Sequence, residues 1–116
     1  MREESEIASL IQEFVKKSIV HGTSESSLRA NRAARRLAEL YRKIRARGDQ
    51  GLAEFALLFG HEHPSVRLWA ASYGLERFPE VAKPVLEELA NGASGAVCAS
   101  AFLTLKVWKA NEMKFP

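Results

Sequence analysis

Three groups of residues in this sequence are of types that do chemistry: His61-Glu62-His63, Cys98, and the adjacent carboxylates Glu87-Glu88. A His-x-His pair around a carboxylate could begin a metal site. A structural zinc site needs about four ligands, however, and His21 and Cys98 lie far away in the chain. The spacing therefore favours an exposed turn with His63 near a helix start over a metal centre. Cys98 would be a nucleophile only if a base or a helix N-terminus stabilised its thiolate. Between Val97 and Ala99, one turn into a helix, it is expected to be a buried and inert thiol. Glu87 and Glu88 are consecutive and so point about 100° apart on a helix, too far for an acid–base pair. No phosphate-cradling glycine pattern, HExxH or serine elbow occurs. These residues predict a protein that is not an enzyme and holds neither cofactor nor metal.

Charge is the remaining chemical signal. Through Arg47 there are 11 Lys and Arg against 6 Glu, a balance of +5, and from Gly48 on 6 against 8 acidic residues, a balance of −2. Between Arg29 and Arg47 only Glu39 interrupts 8 basic residues. On a helix, Arg29, Arg32, Arg36, Lys43 and Arg47 fall within a stripe of about 60°, which is expected on the far side from the apolar face. A run of charge is most often a solvated face. Its functional expectation is a partner-binding surface for an acidic protein, with the phosphates of a nucleic acid as the alternative. The overall charge of +3 is modest, and no exposed aromatics interleave with the arginines for base stacking. Both favour the protein partner.

The elements that must carry these residues are helical. A chain of 116 residues, 47% hydrophobic and 27% charged, has the composition of one soluble domain able to bury a core unaided. Its single cysteine excludes an internal disulfide. No apolar stretch approaches the roughly 18 residues of a membrane span, and the polar start MREESEIASL is unlike a signal peptide. The expected location is cytoplasmic, with no membrane partner.

The stretch His63–Glu76, HPSVRLWAASYGLE, organises the rest. Pro64 suits a first helical turn, where its missing N–H has no partner to lose. Val66, Trp69, Ala70 and Tyr73 recur at helical spacing, which predicts Trp69 as core. Arg67 is expected to tie neighbouring turns together, with Asp49 or Glu62 as acceptors. A first helix over about 4–20 gathers Ile7, Leu10, Ile11, Phe14 and Val15. A second over about 28–46 starts after a Ser26 or Ser27 cap and gathers Ala33, Leu37, Leu40, Tyr41 and Ile44. Asp49 is expected to cap a third over about 50–59, apolar enough to be covered on several sides. A fifth over about 80–90 turns Val81, Val85, Leu86 and Leu89 inward despite Pro84. A last runs from about Ser94 to Ala110 with Val97, Ala101, Leu105 and Trp108 on one face. No run alternates long enough for a strand.

A repeat appears at an offset of 31 residues: Phe55 overlays Leu86, Leu58 overlays Leu89, Val66 overlays Val97, Ala70 overlays Ala101, and Ala71 overlays Phe102. Paired helices at such spacing stack into short α-solenoids. An irregular helical bundle is the competing arrangement. The block Pro64-Ser-Val-Arg-Leu-Trp-Ala-Ala71 resembles the second helix of a HEAT repeat. From Asn31 to Met113 the chain resembles a small bacterial family labelled domain of unknown function twenty-nineteen, through Asn31, Gly48, the VRLWAA block of 66–71, Leu86-Glu-Glu-Leu89 and Trp108. That resemblance implies an all-α, HEAT-like right-handed superhelix of about six helices, and no established activity. Cys98 departs from the HEAT pattern, which often has Arg there, as do the His and Glu residues before Pro64, where Asp is commoner. By analogy alone, a small HEAT-like protein of this kind would be an adaptor, or an antitoxin or immunity protein.

Overall fold

The computed structural model describes residues 2–92 and 95–116. Among them the chain forms six α-helices: α1 (Arg2–Thr23), α2 (Ser27–Arg45), α3 (Gly48–Ala56), α4 (Pro64–Gly74), α5 (Pro79–Gly92) and α6 (Gly95–Lys109). A 3-10 turn, Leu57–Gly60, follows α3, and no strand occurs among the described residues. Ser94, expected to open the last helix, lies outside them. No helix described is long and apolar enough to cross a membrane. The chain divides into two compact units, one running through Leu57 and including Pro116, the other Leu58–Phe115.

In the first unit α1 and α2 pack along their length, with α3 against both. Ser26 starts α2 by accepting a hydrogen bond from the Arg29 amide at 3.3 Å, which satisfies one of the donors a helix start leaves open. All five apolar residues expected to face inward from α2 are buried. On α1 only Ile7, Phe14 and Ser18 are fully buried, and Leu10, Ile11 and Val15 lie at the edge of the interface. Ser18 is tolerated inside because its hydroxyl donates to the Phe14 carbonyl at 2.8 Å. The centre of this unit is aromatic. The Phe55 ring meets Phe14 edge-on at 5.1 Å and Tyr41 at 5.2 Å between centroids.

Two expectations for α3 fail. Asp49 is not its cap: the helix begins at Gly48, whose φ of 74° is a glycine conformation, and Arg47 at the cap position makes no side-chain cap bond. Asp49 instead sits in the first turn, where a carboxylate favours the helix dipole. Nor is the stretch enclosed on several sides. The α-helix ends at Ala56, and the tighter 3-10 turn buries Leu58 and Phe59 while leaving Leu57 72% exposed.

In the second unit α4, α5 and α6 pack mutually. Val66 and Ala70 of α4 are fully buried, but the buried set also takes in Ser65, Leu68, Ala71 and Gly74. Trp69, expected as core, lies half-buried at the edge of this wider face, 5.9 Å from the Tyr73 ring. On α5 the seam is Ala82, Leu86 and Leu89, with Val85 half-buried and Val81 left 56% exposed. The reason is the helix start. Phe78 caps α5, its carbonyl accepting from the Val81 and Ala82 amides, and Pro79 takes the first helical position. The residues at i, i+4 and i+7 that then face α4 begin with Ala82. Pro84 lies inside a helix that continues on both sides of it.

Candidate partner-binding surface

The turn before α4 uses its histidines as caps. His61 Nδ1 accepts from the His63 amide at 3.0 Å, and His63 Nδ1 accepts from the Ser65 amide at 3.2 Å. Arg67 Nη1 donates to the His61 carbonyl at 3.2 Å, so Arg67 ties the turn through a backbone oxygen, where Asp49 or Glu62 had been expected. Cys98 is half-buried, and its thiol donates to the Ala90 carbonyl at 3.1 Å. These four side chains are thereby engaged in holding helix ends and neighbouring helices together. Among the described residues no group of three or more metal-type side chains comes together.

The basic residues of α2 are sorted by their distance from α1. The stripe Arg29, Arg32, Arg36, Lys43, Arg47 does not lie opposite the apolar face. At 100° per residue its centre falls about 100° from that of Ala33, Leu37, Leu40, Tyr41 and Ile44, on the shoulder beside α1. Two of its members are consequently taken up by α1. Arg36 makes a two-pronged pair with Glu13, Nε to Oε2 at 2.6 Å and Nη2 to Oε1 at 2.8 Å, and a longer contact with Glu39 at 3.4 Å. Arg47 Nη1 reaches Glu6 Oε2 at 2.6 Å. Moving back along α1 from Glu13 to Glu6 while moving on from Arg36 of α2 to Arg47 just past its end is what an antiparallel helix pair requires. Arg45 is also occupied, lying over the Tyr41 ring at 5.2 Å and donating to the Pro116 carbonyl.

Arg29, Arg32 and Lys43 remain exposed. Two further cations join them, Arg35 and Arg42, which are exposed and point most directly away from the apolar face. The signal for this pair was present in the sequence, since they stand seven residues apart and opposite Leu37 and Ile44. None of these five has an ion pair among the described residues. Together they extend over about 21 Å of helix at 1.5 Å per residue. His21 adds nothing to this positive surface near neutral pH, because burial pushes its imidazole pKa down.

The Arg36–Glu13 pair predicts a pH effect. Hydrogen bonding to Arg36 holds the Glu13 carboxyl below its usual value of 4.5, against partial desolvation. A carboxylate with a lowered folded-state pKa contributes stability above its unfolded pKa, and that contribution is lost as the pH falls through the folded value. Both side chains are about one-third exposed, so solvent screening limits the effect to about 1 kcal/mol. Glu13→Gln should destabilise the protein at pH 7 by about that amount and flatten the stability profile below about pH 4.5. Urea titrations of both proteins at pH 7 and pH 3 measure it.

A groove of about 700 Å³ runs between Arg2, Glu6, Leu10 and Glu13 of α1, Lys43 of α2, and Arg47 in the turn after it. Its two carboxylates are those held by Arg47 and Arg36, so the groove continues the cationic shoulder. No family model, curated protein or solved structure matches this chain.

Proposed function

We propose that this chain is a non-enzymatic protein-interaction module, an adaptor or a protein of antitoxin or immunity type, whose α2 surface receives an acidic protein. The supporting observation is the row Arg29, Arg32, Arg35, Arg42 and Lys43, exposed and without ion pairs among the described residues. Side chains three apart on a helix are neighbours, and like charges there oppose folding by a few tenths of a kcal/mol per pair. The same chain neutralises Arg36 and Arg47 with well-placed carboxylates, and Lys43 lies within the electrostatic reach of Glu13, yet Arg29, Arg32, Arg35 and Arg42 have no ion pair among the described residues. An acidic partner would relieve the repulsion and be steered to the surface by it. The HEAT-like reading of the paired helices, and the family resemblance from Asn31 to Met113, belong to this proposal. They would make α2 one wall of a helical-repeat binding surface.

The test separates the two partner chemistries. The purified protein serves as bait in a lysate of its source organism, beside the variant Arg32→Glu/Arg35→Glu/Arg42→Glu. Duplex DNA and single-stranded RNA are titrated in parallel at about 150 mM salt, where contacts to several phosphates give a steep salt dependence. An acidic protein retained by the wild type and lost from the variant supports the proposal. Sub-micromolar nucleic-acid binding that the variant abolishes would replace it with the phosphate reading.

A further inference from the structure

Among the described residues, one side of the last helix is left largely exposed. Ala101 and Leu105 are buried and Val97, Cys98, Thr104 and Trp108 are half-buried, and these face α4 and α5. On the opposite side Ala96, Ala99, Leu103 and Lys106 are all exposed, as is Ala110 just past the helix end. They follow one another at steps of three, four, three and four residues, the spacing of a helix–helix seam. Phe102 and Val107 flank the seam, and Phe102 and Leu103 are 60% and 57% exposed. A shallow depression of about 210 Å³ between Leu103, Thr104, Val107 and Met113 lies along its edge.

The internal repeat indicates what kind of object belongs there. Shifted by 31 residues, the seam positions Ala96, Ala99, Leu103 and Lys106 correspond to Ser65, Leu68, Ser72 and Leu75, of which Ser72 is half-buried and the other three are buried; the flanking Phe102 corresponds to the buried Ala71. The face that is enclosed around α4 is open on α6. Its three- and four-residue spacing is that of a surface which takes another helix.

We propose that this face pairs with the same face of a second copy of the chain, the two α6 helices running antiparallel. Size and charge both select that arrangement. The seam is small in its first half, Ala96 and Ala99, and large in its second, Leu103 and Lys106. Reversed against itself, it sets Leu103 of each copy over Ala99 of the other and brings the two Phe102 rings together beside the two-fold axis. α6 carries no acidic residue, and its charges are Lys106 and Lys109. A parallel pair would set these lysines side by side. The antiparallel pair separates the two Lys106 positions by about 15 Å along the axis at 1.5 Å per residue, beyond the screening length of about 8 Å at physiological salt. The helix dipoles are then also opposed. One face of a 15-residue helix cannot bury the roughly 800 Å² per partner of a stable complex. The dimer is accordingly a weak one that forms with concentration.

Sedimentation velocity from about 5 to about 300 µM, a range that brackets weak association, measures it on the full chain. The average mass should climb from 12.9 kDa toward twice that value. Phe102→Asp and Leu103→Asp should each stay monomeric throughout while melting like the wild type, since both side chains are exposed in the single chain. Nitroxides attached through Ser100→Cys should lie closer together than those attached through Lys109→Cys, both in a Cys98→Ser background. A wild type that is monomeric at the highest concentration overturns the proposal, as do aspartate variants that dimerise normally. Aspartate variants that unfold the monomer overturn it too, by showing that the face is enclosed within one chain. Equal label distances at the two positions overturn the antiparallel pairing.

Discussion

Phe55→Ala should lower the unfolding free energy by about 3–5 kcal/mol, the range for deleting a buried phenyl ring. Phe55 is fully buried in the first unit, at the point where α1, α2 and α3 meet. Its ring is in contact with two others, Phe14 edge-on and Tyr41 tilted at 50°. Aromatic pairs in such geometries contribute about 0.5–1.5 kcal/mol beyond their area. Truncation therefore removes dispersion contacts on two sides and leaves a void between helices that cannot close without moving α3. Leu37, Leu40 and Ile44 of α2 are also fully buried, so the unit has no loose side chain to fill the gap. Equilibrium denaturation followed by far-UV circular dichroism gives the magnitude, and amide exchange gives the location, with the largest loss of protection in α1–α3. A change under about 1 kcal/mol would mean the three rings do not form the centre of this unit.

Gly51→Ala is the second large effect, expected to cost about 1–3 kcal/mol through overpacking. An added Cβ at this position would lie 2.3 Å from the Ile44 carbonyl oxygen and 2.9 Å from the Arg47 Cβ. The oxygen belongs to the backbone of α2 and cannot rotate aside, so α3 as a whole must shift. That shift would pull on Leu52 and Phe55, which α3 buries one and four residues later. In an exposed helix interior the same substitution would stabilise, because alanine is the better helix former by about 1 kcal/mol. The sign of the result thus reports the close approach directly. Gly60→Ala is the control. A Cβ there meets nothing within 4 Å, and it should change stability by no more than about 0.5 kcal/mol. Thermal or urea unfolding of the two variants beside the wild type decides the matter, and equal small effects would show that α3 does not touch α2 at Gly51.

Several elements were legible in the residues alone because their information is local. The five inward positions of α2 followed from helical spacing, and all five are buried. A serine cap at 26 or 27, Pro64 at a helix start and the break at Phe78-Pro79 followed from backbone chemistry that acts within one turn, and the structure selects Ser26 as the cap. The all-helical class came from the same local periodicity. What the sequence could not fix were angles between elements. Val81 and Ala82 are adjacent, and which of them faces inward depends on where α5 begins and how close α4 approaches. Trp69 is large and apolar, yet the small residues Ala70, Ala71 and Gly74 allow the closest packing, and the indole is left at the rim. The basic residues show the division most clearly. Their number and helical spacing are written in the sequence. Which of them are free was decided by the approach of α1, whose Glu6 and Glu13 lie 41 and 23 residues from Arg47 and Arg36 in the chain. An ion pair depends on distance in space, and only the packing of α1 against α2 supplies it.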